Sequence, residues 1–240
     1  MKWIQLLAFS FMLVMNYLAN ALPIQGKTTG ELSAQYPNLF VPAGWAFSIW
    51  GIIYLLLGIW VAGALIYKGK EFSQPLAWLF IAGSLLNASW ILAWHHEKTL
   101  LSLLIMLALL ISLVLLVYTL GSTGDKLGKI TFGIYLGWIC VATVANATAW
   151  LVDINWGGAG ISAQNWTLIL IVTAAFITLF SMLRLQNPWL ALSVAWAFFA
   201  IVSRQINSHP GIAVFAGVAA IGLMLAAIAM WAGWLGTRPG

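Results

Sequence analysis

The chain is expected to fold as an all-α integral membrane protein, a helical bundle of about eight transmembrane helices, and three observations carry that expectation. Hydrophobic residues make up 63% of the 240 positions and charged residues only 6%, with a mean hydropathy of +0.99, which leaves too little polar surface to coat a soluble globule. Charge-free apolar runs follow one another along the chain, eight in all, most near the roughly 20 residues that a hydrocarbon core about 30 Å thick requires. Every Asp, Glu, Lys and Arg lies outside these runs, as the cost of burying a charge at mid-membrane demands.

The first run, Trp3 to Ala21, follows Lys2 and ends in Ala19-Asn20-Ala21, a pattern that also resembles a signal peptide with its small-residue cleavage site. Cleavage would leave seven helices; the stretch is long for a signal core, and a retained helix is expected. A loop from 22 to 44, rich in Pro, Gly and Thr, leads to the second run, Trp45 to Tyr67. The third, fourth and fifth runs are Leu76 to Trp94, Leu100 to Leu120 and Ile130 to Val152, followed by a loop from 153 to 165 that holds WGGAG. Trp166 to Leu183 is the sixth. The seventh, Trp189 to Ser203, is short for a span, yet it opens on Asn187-Pro188, a good helix start, and Arg204 can snorkel at its other end. In the eighth, Ile212 to Leu235, Ala213, Gly217 and Ile221 with Ala216 and Ala220 make a face of mostly small side chains suited to close packing.

If eight helices alternate across the bilayer, one face collects Lys2, Lys68, Lys70, Lys126, Lys129, Arg184 and Arg238, and the other Lys27, Lys98 and Arg204. By that asymmetry both termini are expected in the cytoplasm. The net charge of +5 is scattered singly or in pairs, without the basic stripe of a nucleic-acid binder. Cys140 is the single cysteine and sits in an apolar run, so it reads as a small buried residue.

Several chemistries lack their residues. Ion-coupled transport usually needs an ionisable group within the membrane, and a retinal Schiff base needs a lysine there; the spans hold no carboxylate, Lys or Arg. His95 and His96 beside Glu97 invite a metal or haem reading, but neighbours on a helix point about 100° apart and no second cluster completes a site, so interfacial loop histidines are expected. His209 and Asp153 are likewise expected in loops, and no catalytic triad is expected.

What remains is an aromatic and amide pattern. Phe47, Trp50, Tyr54 and Gly58 share one helical face in the second run; Gly83, Asn87, Trp90 and Trp94 do so in the third, and Tyr135, Trp138, Ala142 and Asn146 in the fifth. Gly133 and Gly137 form a small-xxx-small pair that lets another helix approach. Asn87 and Asn146 are the most informative, because an amide at mid-membrane needs a hydrogen-bond partner in protein, ligand or water. Two readings stand: the amides join helices while the Trp residues fill the core, or the three stripes line a pocket.

The three stripes resemble those of the TspO/MBR family, the tryptophan-rich sensory or translocator proteins. Pro42, Trp45, Phe47, Trp50 and Tyr54 echo the pattern P-P-x-W-x-F-G-P-V-W-T-x-L-Y that opens the family's second helix. Leu86, Asn87 and Trp90 match L-N-x-x-W of the third, and Tyr135, Leu136, Trp138, Ala142 and Asn146 match Y-L-x-W-x-x-x-A-x-x-x-N of the fifth. The resemblance covers residues 1–152, a five-helix region, to which 153–240 adds a three-helix transmembrane region.

There are departures: Ala43 stands for the second proline, and FSIW is one residue shorter than FGPVW. LVDINW after the fifth helix lacks the Tyr and basic residue of the family's proposed cholesterol motif, which argues against sterol binding. The resemblance implies a non-enzymatic bundle whose cavity, beneath the loop between helices one and two, binds porphyrins and other tetrapyrroles. A haem-type ligand is included, with no obligatory cofactor or catalytic residue. Ligand-binding residues would be Trp50, Tyr54, Asn87, Trp90, Trp138, Ala142 and Asn146, with Trp45 either rim or membrane anchor. The expected partners are membrane lipid, a tetrapyrrole-like small molecule and, as an option, a second copy of the chain. An uncoupled small-molecule transporter or permease and an enzyme that degrades porphyrin in light are the alternatives.

Overall fold

The computed structural model describes residues 1–22, 24–66 and 73–235. Among them the long helices are α1 Lys2–Ala21, α3 Ile49–Ile66, α4 Gln74–His95, α5 Thr99–Gly121, α6 Lys126–Asp153, α7 Ala163–Leu185, α8 Pro188–Gln205 and α9 Pro210–Trp231; α2, Thr29–Ala34, is a short helix in the first loop. A 3₁₀ turn, Gly44–Ser48, runs directly into α3. Each expected apolar run is therefore a helix. Seven of the spans are long and apolar enough to cross a membrane, counting Gly44–Ile66 as one; α8 is the helix outside that set.

Contacts between loops sort the helix ends onto two faces. On one face Lys27 pairs with Glu97, Thr99 Oγ1 donates to Asp153, and Gln205 Nε2 donates to the Leu39 carbonyl. On the opposite face Trp60 Nε1 donates to Asp125, Asn187 Nδ2 donates to the Lys129 carbonyl, and Trp189 meets Trp231 edge-on. The alternation assumed from short loops is thus built into the packing. Lys68, Lys70 and Arg238, three of the charges behind the topology expectation, lie outside the described residues.

Local chemistry starts and stops the helices as the sequence suggests. Asp125 caps α6 through Gly128 N, Ser162 caps α7 through Asn165 N, and Asn187 caps α8 through Trp189 N, with Pro188 at the first helical position. Gln186 ends α7 in the left-handed region (φ 49°). In α2, Thr28 and Glu31 form a capping box, each side chain bonding the other's backbone N–H. Those bonds hold the Glu31 carboxyl below the usual carboxylate range.

The glycine pair of α6 is filled by α8. A Cβ on Gly137 would collide with the Leu190 carbonyl oxygen and lie 2.8 Å from Ser193 Cβ, and one on Gly133 would strike the Asn187 amide. Backbones can meet here because neither glycine holds them apart. The small face of α9 is used in the same way: Ala213, Ala216, Ala220 and Ala227 are buried, and Gly217 faces Val202 of α8. One hydrophobic core runs through both groups of helices, from Met12 and Trp60 to Phe198 and Ala220.

Candidate functional site

A cavity of about 30 Å³ lies where α3, α4 and α6 converge beneath the first loop. Phe47, Trp50, Trp90, Trp94 and Trp138 surround it; Val141, Ala142, Ala145 and Asn146 supply the α6 wall; Thr29, Ser33 and Pro42 cover it from the loop. The rings form a continuous cluster. Trp50 lies nearly parallel to Tyr54 (5.4 Å, 17°) and Trp90 (6.2 Å, 29°), and meets Trp138 edge-on at 6.2 Å. Phe47 meets Trp138 edge-on at 5.8 Å, and Trp94 stacks on Trp90. Such geometries follow the ring quadrupole and add to simple burial.

Two helical stripes meet because α3 and α6 pack directly, so Trp50 and Trp138 touch each other. A 3₁₀ turn, Gly44–Ser48, leads into α3 just before Trp50. The same turn keeps Phe47 on the cavity despite the residue missing from FSIW.

Of the seven expected ligand residues, Trp50, Trp90, Trp138, Ala142 and Asn146 line the cavity. Asn146 is held in place: its Oδ1 accepts from Trp90 Nε1 (3.1 Å) and Ser102 Oγ (2.5 Å), and its Nδ2 donates to the Ala142 carbonyl (2.9 Å). Tyr54 stands behind Trp50 rather than on the cavity, with its hydroxyl buried and without a partner among the described residues. Asn87 is also off the wall. Its Nδ2 donates to Tyr135 OH (2.8 Å) and its Oδ1 accepts from Asn16 Nδ2 (2.7 Å), which ties α1, α4 and α6 together. Both asparagines thus join helices, Asn146 linking α6 to α4 and α5, and Asn146 alone also lines the cavity.

Residues not singled out for the site complete it. Thr29 and Ser33 come from α2, whose T-x-x-E capping signal at Thr28 to Glu31 was legible. Ala145 lies one turn from Ala142 on the same face. Trp94 donates through Nε1 to the Thr29 carbonyl (3.3 Å) and packs on Tyr36 (5.8 Å). Burial, and then the carboxylates of Glu97 and Asp153, push the Tyr36 phenol above its ordinary range. Trp138 Nε1 and Thr29 Oγ1 are buried without a hydrogen-bond partner among the described residues.

Trp45 is not among the lining residues: it is 45% exposed, its Nε1 donates to Ser203 Oγ at 3.4 Å and its ring sits edge-on against Trp196. The histidines need correcting. His95 is the last residue of α4, fully buried, with Nδ1 2.9 Å from the Ile91 carbonyl, whereas His96 is exposed in the turn. No group of three or more His, Cys, Asp or Glu able to hold a metal occurs among the described residues.

No curated protein and no solved structure matches the chain. A family model described as TSPO-like protein matches residues 2–229, a span that includes α7 and α8 and nearly all of α9 as well as the five-helix region in which the three motifs lie. The chain, an integral membrane protein of the ligand-binding or translocator type, belongs to the TSPO-like protein family.

Proposed function

We propose that the cavity is a binding site for a flat, largely apolar ligand of the tetrapyrrole class, and that the protein acts by binding rather than by chemistry. The observation that carries this reading is the ring cluster: five aromatic side chains, from α3 with its leading turn, α4 and α6, surround one small cavity, with alanines at 142 and 145 as its floor. Ring faces suit a planar macrocycle, and small residues leave space beside it.

At about 30 Å³ the cavity has room for about two waters, whereas small-molecule pockets run to about 300–1,000 Å³. Binding therefore requires displacement of a ring. Trp50 is the one to move, since it is half-buried and stands in the stack between Tyr54 and Trp90; a macrocycle taking its place would keep both ring contacts. Both termini are placed in the cytoplasm of a bacterial-type inner membrane, which reporter fusions after Gly240 and within 121–129 would check by both reading inside.

The test of the ligand is titration of the purified protein with protoporphyrin, following tryptophan quenching, in the parent and in Trp50→Leu, Trp138→Leu and the double variant. Loss of affinity in Trp138→Leu, with affinity kept or raised in Trp50→Leu, whose ring must leave before the ligand can enter, supports the site. Full affinity in a folded double variant returns these rings to core packing.

A further inference from the structure

We infer that α8 is the fixed jaw of the cavity and that Trp196 is its positioning residue, holding the outer wall of the site at a set distance from its α6 floor. The inference rests on the reading of the cavity as a ligand site, and it concerns a helix outside the five-helix region that holds the motifs.

The loop over the cavity is tied down in two different ways. Its first half has one buried bond to the bundle, from Trp94 Nε1 to the Thr29 carbonyl (3.3 Å), with Leu32 and Tyr36 packed beneath it; its other ties lie at the surface, the Lys27–Glu97 ion pair at 3.3 Å, both side chains well exposed, and a 3.4 Å contact between Gln25 Nε2 and His96 Nδ1. Such exposed pairs hold little in water. The second half is bonded to α8 along its length. Gln205 Nε2 donates to the Leu39 carbonyl (2.9 Å), Ala43 N donates to the Ala200 carbonyl (3.1 Å), and Trp196 Nε1 donates to the Ala46 carbonyl (3.0 Å). Trp196 also packs edge-on against Trp45 at 4.8 Å. Of the wall residues of this half, Pro42 lies within the bonded stretch and Phe47 directly follows it.

Backbone reaches backbone here because Ala197 and Ala200 are small and fully buried, as is Ala46. Ala43 has φ −60° and ψ 147°, a conformation that proline would accept; what alanine adds is the N–H that α8 receives. That gives a physical reason for alanine where the family pattern has a second proline. The jaw itself is rigid, because α8 is seated in the Gly133–Gly137 groove of α6, the helix that carries the floor. Floor and wall are therefore joined through α8, and opening falls to the α2 half.

The test uses the full chain with Cys140→Ala and a reporter thiol, Ala145→Cys, on the cavity floor. The rate of modification by N-ethylmaleimide is measured alongside protoporphyrin affinity and thermal stability. Trp196→Phe and, separately, Ala43→Pro each remove one donor, so modification is expected to rise about three- to tenfold, the effect of one net hydrogen bond on a local opening. Ala216→Val, which perturbs the α8–α9 packing, should lower stability without that rise. Unchanged modification in both donor variants, or an equal rise in Ala216→Val, overturns the inference. A rise in the donor variants with no protoporphyrin binding even in the parent sustains it, and removes only the tetrapyrrole reading.

Discussion

Helix α6 has two faces that differ in how much change each can absorb. Gly133 and Gly137 meet α8 with no space for even a Cβ, while Trp138, Ala142, Ala145 and Asn146 face a cavity among rings. The first face has no slack: Gly137 meets the Leu190 backbone and Ser193 Cβ, which have no rotamers to vary, and Gly133 meets the Asn187 amide, held by its bonds to the Lys129 carbonyl and Trp189 N. The second is side chain on side chain, where a ring can turn and leave space. A single helix can thus act as scaffold on one side and adjustable wall on the other, and substitutions should separate the two.

The largest effect is expected from Gly137→Leu. The new side chain starts in collision with the Leu190 backbone, so the cost should exceed the about 1–3 kcal/mol typical of overpacking, and thermal unfolding in detergent should show loss of the cooperative transition. A stable Gly137→Leu protein would mean that the α6–α8 seam is looser than these contacts allow. Ala142→Phe, one turn along on the other face, should cost about 1–3 kcal/mol at most yet abolish protoporphyrin binding, because its ring would fill the cavity. Binding retained in that folded variant would remove this face from the site.

The two asparagines sharpen the contrast further. Asn87→Leu removes the partner of Tyr135 OH and leaves Asn16 Nδ2 only its bond to the Met12 carbonyl, and should destabilise by about 1–2 kcal/mol, given what interhelical hydrogen bonds contribute in membranes, with ligand affinity nearly intact. Asn146→Leu frees Trp90 Nε1 and Ser102 Oγ at the cavity and should change affinity more than stability. Reversal of that order, measured by unfolding and titration together, would break the distinction between joint and wall.

The smallest effect is a dependence on pH at the lid. Glu31 is held below the usual carboxylate range by the Thr28 N–H and hydroxyl, so it supports α2 above its unfolded pKa, and that support is lost as pH falls through its folded value. Modification of Ala145→Cys by a thiol reagent of pH-independent reactivity should therefore rise below about pH 4, and Glu31→Gln should flatten the profile. An unchanged profile in Glu31→Gln would show that α2 keeps its place by packing alone.

Hydropathy made the eight helices legible, because hydrocarbon penalises every charge and every unpaired backbone group in the same way wherever the helix stands. It did not say which helix is inside. α7 is strongly apolar yet largely exposed, with Val172, Phe176 and Phe180 turned outward, whereas α8 is the weakest span by sequence and among the most buried, with Leu190, Val194, Phe198 and Ile201 at zero exposure. Lipid asks for apolar surface, but an interior helix answers only to its neighbours, so α8 could be short and keep Ser193 and Gln205 buried.

The same division runs through the site. Helical periodicity put Trp50, Trp90, Trp138, Ala142 and Asn146 on single faces of three helices, and an amide in the membrane had to find partners; the sequence by itself determined that much. Which asparagine only joined helices and which also faced the cavity depended on partners 44 to 71 residues away: Ser102 and Trp90 for Asn146, Asn16 and Tyr135 for Asn87. Only the tertiary structure decided that, and likewise that Trp196 and Ala200 of α8 would hold the cavity's wall, because the distances that make a hydrogen bond are set by which helices pack together, and a one-dimensional periodicity carries no such distances.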